Sequence, residues 1–297
     1  MISSFVSKRR ATLNISVAFM ICAAFGLGRS ATASGIFDEI PGLSPGAQSS
    51  LVAHYDGSTG VDTTGTTVNS WTPVDGDGDP LPARIITSTQ RGSGPADLIT
   101  YSAANSTVQF DDTNIGSDGR YLAGVLDGVA GGGSYTVFWL GHYDAGAPFA
   151  SSGTYAYNID SEVTHQRDNT SSGFVLELFD GSTSHSGDVI EEFDDVDTVW
   201  STVYDVASHD AYANGGNLNV GGTPNYSVTA SPSIFVGAFG GSGFDFVGDI
   251  KQLIIFNSAL SSQDRGLIES YLAGIPEPSS LILAAMALAG VVAPSRR

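Results

Sequence analysis

The sequence predicts an all-β fold, a β-sandwich or jelly roll closed by one short C-terminal helix. Short runs rich in Val, Ile, Tyr, Phe, Trp and Thr recur along the chain, each bounded by clusters of Gly, Asp, Asn and Ser. The 37 glycines supply the turns such a fold needs. Alternation with period two is clear in Phe174-Val175-Leu176-Glu177-Leu178-Phe179, and again where Val199, Ser201 and Val203 oppose Trp200, Thr202 and Tyr204.

Taken in order, residues 1–33 read as a secretory signal peptide. Lys8, Arg9 and Arg10 give a charged start, residues 13–27 an apolar core, and Ala31-Thr32-Ala33 a small-residue cleavage site. Cys22 follows Phe19-Met20-Ile21, which lacks the small residues of a lipoprotein signal. A lead-in, 34–43, carries the turn Pro41-Gly42. One domain, 44–274, then holds strands expected at 51–55, 84–89, 107–110, 121–125, 135–142, 156–159, 173–179, 198–206, 218–220, 234–239 and 246–256. The helix is expected at 262–272: Ser261 caps it, Leu267, Ile268, Tyr271 and Leu272 share a face, and Gly274 ends it. No repeat of solenoid or propeller period is evident.

Residues 275–297 form a tail: Pro276-Glu277-Pro278, two serines, thirteen apolar residues from Leu281 to Ala293, and Arg296-Arg297 at the end. As a helix the apolar run rises about 20 Å, short of a hydrocarbon core of about 30 Å. A run of this kind ending in arginines lodges transiently in a bilayer as a transmembrane helix with its basic end cytoplasmic.

Between residues 34 and 277 six basic residues face 31 acidic ones, a formal charge of −25. That balance argues against nucleic acid and anionic membrane surfaces, and is compatible with divalent cations. With both ends removed no cysteine remains, so stability must come from the core or from metal.

Two resemblances follow from these residues. The order Pro276-Glu277-Pro278, apolar run, basic end closely resembles the PEP-CTERM sorting signal of Gram-negative bacteria, which implies processing by an exosortase and delivery to the cell surface or extracellular matrix. Residues 50–273 resemble the LamG-like, concanavalin A-like jelly roll. The matching pieces are Leu51 to Asp56, Val68-Asn69-Ser70-Trp71 with the loop Asp75 to Asp79, and Tyr135 to Leu140. They continue with Trp200 to Asp205 followed by Tyr212-Ala213-Asn214-Gly215, and end with Phe246 to Asn257 and the helix. The resemblance implies a fold, and for function a binding module for sugars, proteins or calcium, or a spacer.

Candidate chemistry is sparse. None of His54, His142, His165, His185 and His209 has metal-ligand spacing, and His54 and His142 read as structural. Ser242 lacks the spacing of a nucleophile elbow. Glu192, Asp194 and Asp197 form E-x-D-x-x-D, similar to the E-x-D-x-x-E strand of laminarinase-type glycoside hydrolases. An aspartate here replaces the acid/base glutamate, and five acids in seven residues also read as a solvated loop. Asp75, Asp77 and Asp79 alternate like the start of a Ca2+ loop, although Pro80 and Ile86 break the EF-hand pattern. Tyr143, Tyr155, Tyr157, Tyr212 and Tyr226 near polar loops offer a sugar platform or cap the core. The expectation is an exported, non-catalytic surface or matrix protein that binds exopolysaccharide or other glycans, with a glycoside hydrolase or a structural spacer as alternatives.

Overall fold

Trp71, Trp139 and Trp200 are all fully buried and mark where two antiparallel sheets meet. The computed structural model describes residues 35–91, 98–110, 119–145, 154–170, 173–206, 208–239 and 245–274. The expected signal peptide with Cys22, Ala31 and Ala33, the tail with Pro276, Glu277 and Pro278, and Ser242 lie outside them. Among the described residues no helix is long and apolar enough to cross a membrane.

The first sheet runs β1 (Leu51–Asp56), β17 (Gly248–Phe256), β8 (Tyr135–Tyr143), β13 (Thr198–Asp205), β14 (Ser208–Ala213), β15 (Gly216–Asn217). The second runs β4 (Ile86–Gln90), β7 (Arg120–Val125), β16 (Ser233–Val236), β9 (Thr154–Ile159), β10 (Val163–Thr170), β11 (Gly173–Phe179), β12 (Ser184–Val189). β2 (Val61–Thr64) pairs with β3 (Thr67–Trp71), which pairs with β4 and also with β5 (Ile99–Ser102). From β5 the path continues through β6 (Thr107–Phe110) to β17, joining the two sheets along one edge. The result is the expected jelly-roll sandwich.

The first sheet is buried on both faces, which explains why its strands read as unbroken apolar runs. In β8, Tyr135, Val137 and Trp139 enter the sandwich while Phe138 and Leu140 face outward into a second core. β17 divides the same way: Leu253 and Ile255 go inward, Ile254 and Phe256 outward. Register sets Trp139 opposite Trp200, with rings stacked at 5.4 Å and 11°.

Three helices cover the outward face: α1 (Ile36–Glu39), α2 (Pro45–Ser50) and α3 (Ser262–Ala273). Ser261 caps α3 as expected, its hydroxyl accepting from the Asp264 amide at 3.1 Å. The Asp264 carboxylate in turn accepts from Ser261 Oγ, from the Ser44 amide at 2.9 Å and from Ser44 Oγ at 3.0 Å. Burial pushes this carboxyl up, but those hydrogen bonds hold it below its ordinary value. The expected lead-in at 34–43 is therefore corrected: Ile36, Ile40 and Leu43 are buried in the second core and belong to the domain. Their burial follows from the apolar face the sheet must cover. The strand expected at 218–220 is also corrected: Leu218 is buried and Val220 packs on the core, but ladder pairing stops at Asn217.

His165 lies among Trp139, Tyr143, Tyr157 and Trp200 and is held neutral, burial pushing its pKa down to about 3. Its protonation favours the unfolded chain, so the His165 contribution is complete above about pH 6.5 and is lost as pH falls towards 3. Denaturant midpoints should fall between pH 6.5 and 4 with a slope of up to about 1.4 kcal/mol per pH unit from this group. His165→Phe should flatten that limb, and equal slopes in the two proteins would refute the assignment.

Candidate functional site

The residues singled out in the sequence do not converge. Residues Glu191–Phe193 form a single 3-10 turn rather than a strand, so alternation cannot aim Glu192 and Asp194 into one cleft. The turn exists because Ile190 is buried and Phe193 packs on the sandwich core while the acids between them face solvent. Asp194 Oδ2 accepts from Arg167 Nη2 at 2.6 Å. The Arg167 side chain is fully buried and lies 3.8 Å over the Phe174 ring. Burial pushes Arg167 down and Asp194 up from their ordinary values, each opposed by its partner's charge. Asp197 is shared between His142 Nδ1, at 3.0 Å, and Lys251. The motif is an ion-pairing turn.

In the Asp75, Asp77, Asp79 loop one carboxylate is turned onto the backbone. Asp75 Oδ1 accepts from the amides of Asp77 and Asp79 at 3.0 and 2.9 Å, and Gly76 O accepts from the Phe37 amide. A Cβ on Gly76 would fall 1.7 Å from the Phe37 ring, so the Asp/Gly alternation serves the docking of α1. Among the described residues, the acids that approach one another with a histidine are Asp144 and Asp195 beside His142. Burial opposes the His142 charge, but hydrogen bonds to Asp144 and Asp197 outweigh it and raise its pKa to about 10. It is therefore an imidazolium at neutral pH, balancing these carboxylates. His54 is the structural histidine expected, buried against Gln252.

The tyrosines are dispersed. Tyr143 and Tyr157 are buried in the sandwich core, and Tyr226 packs on it with its hydroxyl 2.7 Å from His209 Nδ1. Tyr212 lies under Arg265 of α3, at 3.5 Å. Of these five, Tyr155 is the one on the outer face of the second sheet, where it is largely buried.

That face holds a polar constellation assembled by register. A bulge in β9 takes Ala156 out of the pairing, so Tyr155 sits opposite Gln166 of β10. Gln166 sits opposite Glu177 of β11, and Glu177 opposite Ser186 of β12. The inward phase of β10 and β11 goes to His165, Leu176 and Leu178, which leaves Gln166, Asp168 and Glu177 outward. Gln166 Nε2 donates to Glu177 Oε1, yet Gln166 Oε1 is a buried acceptor with no hydrogen-bond partner among the described residues. Phe239 extends the row, 4.8 Å from the Tyr155 ring and 5.7 Å from Phe179. Burial raises the Glu177 pKa, a hydrogen bond from Ser184 lowers it, and the charge of Asp168 and a hydrogen bond shared with it raise it again. The arrangement combines aromatic edges, an amide and a carboxyl, groups that grip hydroxylated ligands. Sequence reading passed over Gln166 and Asp168; the available signal was Glu177, the single acid in an otherwise apolar strand.

No family model matches the chain, and no curated protein does. Among solved structures it is similar to domain 4 of AbnA, a GH43 extracellular arabinanase from Geobacillus stearothermophilus in complex with arabinotriose. That likeness has 17% identity over 73% of this chain and 96% of that one, with a TM-score of 0.45. It is also similar to Trypanosoma rangeli sialidase, with 10% identity, 74% and 32% coverage and a TM-score of 0.42. A third is the binding domain of Botulinum neurotoxin DC in complex with rat synaptotagmin II, with 9% identity, 76% and 52% coverage and a TM-score of 0.45. The chain thus spans about a third of the sialidase chain and half of the toxin domain chain.

Asp194→Ala removes the carboxylate partner of a buried guanidinium and should cost about 3 kcal/mol of stability. Glu192→Ala, at an exposed site, should stay within about 0.5 kcal/mol. Chemical denaturation of both variants checks this, and similar small losses would contradict the ion-pair role.

Proposed function

We propose that this is an exported, non-catalytic binding module that holds carbohydrate on the outer face of the second sheet, at the cell surface or in the matrix of a Gram-negative bacterium. The observation that carries the reading is the row Tyr155, Gln166, Glu177 with its unpaired Gln166 Oε1, extended by Phe239 and Phe179. A ligand hydroxyl would satisfy this acceptor, which is one of several buried polar atoms without a hydrogen bond among the described residues. Aromatic rings take the apolar face of a sugar while the amide and carboxyl take its hydroxyls. The signal peptide and the tail at Pro276-Glu277-Pro278 support export, with exosortase processing and transient membrane contact as part of the same proposal. Calcium at Asp75, Asp77 and Asp79 stays part of this reading: Asp75 Oδ1 already accepts from the Asp77 and Asp79 amides, while the Asp77 and Asp79 side chains are exposed.

The Asp168–Glu177 pair keeps a glycoside hydrolase as the second reading, since a raised carboxyl beside another is what acid catalysis uses. Against it, a retaining pair stands about 5–5.5 Å apart, with the glycosidic bond between. Two carboxyls sharing a hydrogen bond leave no such gap.

A glycan array with reducing-sugar release on residues 34–274 tests these readings. Binding without release is expected, with Tyr155→Ala and Glu177→Gln each weakening it about tenfold, or about 1.4 kcal/mol. Release that disappears in Glu177→Gln would establish the hydrolase, and neither binding nor release would leave a spacer. Glu177→Gln should also raise the melting temperature at pH 8 and lose that advantage in acid, because it removes a carboxylate whose charged form burial disfavours.

A further inference from the structure

A second concavity opens on the opposite side of the sandwich. A cleft of about 940 Å³ lies between the C-terminal turn of α3, the end of β1 and the β5–β6 turn. Its floor is apolar: Leu140 and Val199 from the outward phase of the first sheet, and Leu272 of α3. Its walls carry hydrogen-bonding groups, Asp56, Asn105, Asp197, Asn214 and Gln252, with Tyr271 as the aromatic member. The volume is at the upper end of what small-ligand sites enclose, about 300–1,000 Å³. An apolar floor ringed by donors and acceptors suits a ligand with one apolar face and many hydroxyls.

Charge narrows the class. The carboxylates of Glu39, Asp56 and Asp197 outnumber the single ammonium of Lys251. The carbonyl end of α3 also closes the cleft, and no basic residue in its last turn offsets that partial negative charge. Uronates, sulfates and phosphates are repelled here; uncharged hydroxyls and amino groups are not.

We propose that this cleft is a second carbohydrate site, taking a neutral or amino-bearing sugar chain, so that one domain holds two glycan chains on opposite faces and joins them. The proposal rests on the carbohydrate reading above and adds to it the function of a matrix cross-linker. The two sites share no residue: one is built from β9 to β12, the other from the helix layer and the outer face of the first sheet.

Ser270 is exposed on the cleft wall, so Ser270→Trp should fill the cleft without disturbing either core. The full chain is titrated calorimetrically with gluco-, arabino- and chitosan oligosaccharides and with alginate oligomers, and mixed with the long neutral polysaccharides to follow cross-linking by turbidity. Two sites per chain and turbidity are expected with a neutral or amino sugar, and none with alginate. Ser270→Trp should leave one site, with its affinity within about twofold of the parent and turbidity lost, and Asn105→Ala should weaken the cleft site about tenfold. A single site untouched by Ser270→Trp, loss of all binding in Tyr155→Ala, or alginate binding blocked by Ser270→Trp would each overturn the cleft proposal. Loss of binding in Ser270→Trp with full binding in Tyr155→Ala would keep the cleft and overturn the sheet-face site. Failure of every probe to bind would overturn both.

Discussion

Everything in this molecule depends on the first sheet being buried on both faces. A sandwich needs only one apolar face per sheet, yet β8, β13 and β17 carry two, and the outward one must be kept from water. The helix layer exists for that purpose, and it explains why Ile36, Ile40, Leu43, Ile268 and Leu272, far apart in the chain, share one core. Because the first sheet is occupied on both sides, the broad polar sheet face left is the outer face of the second. There Gln166, Asp168 and Glu177 occupy positions that packing would otherwise fill with aliphatic side chains.

The strong acidity of the chain has an equally local explanation. Carboxylates here act as turn and cap acceptors. Asp75 closes its loop, Asp264 accepts from both cap residues Ser44 and Ser261, and Asp180 accepts from the amides of Ser182, Thr183 and Asn225 and sits 3.2 Å from His185 Nε2. Burial opposes the Asp180 charge, but those hydrogen bonds hold its carboxyl far below the usual range. Alternating acids in a sequence thus point to backbone amides in need of acceptors as readily as to a cation.

How much was legible in the sequence follows from which signals are local. Strands at 107–110 and 173–179 emerge at the expected residues, because clean alternation and flanking turns need no tertiary information. β10 escaped notice because polar residues fill both its faces, Thr164, Gln166 and Asp168 outward and His165 and Arg167 inward, which erases the period. The helix at the C-terminal end was legible from its cap and face, whereas α1 and α2 were hidden by Pro41-Gly42 and by dependence on side chains distant in the chain, such as Phe138, Val199, Ile254 and Ile268. The candidate site was the least legible part. Tyr155, Gln166 and Glu177 lie on three strands, and only register, including a bulge at Ala156, brings them into a row.

The shared cap on Asp264 carries a consequence for the order of events during folding. Ser44 and Asp264 are 220 residues apart, and among the described residues the ladder partner of β1 is β17, with one further bridge from His54 to Val74, so the first described strand waits for the last. A chain emerging N-terminus first cannot cover the outward face of the first sheet until nearly all of it has appeared. Loop closure of that span is slow, and long-range β pairing is the slow class of folding. The covering of that face is therefore expected among the last steps of folding, once β17 and α3 are available.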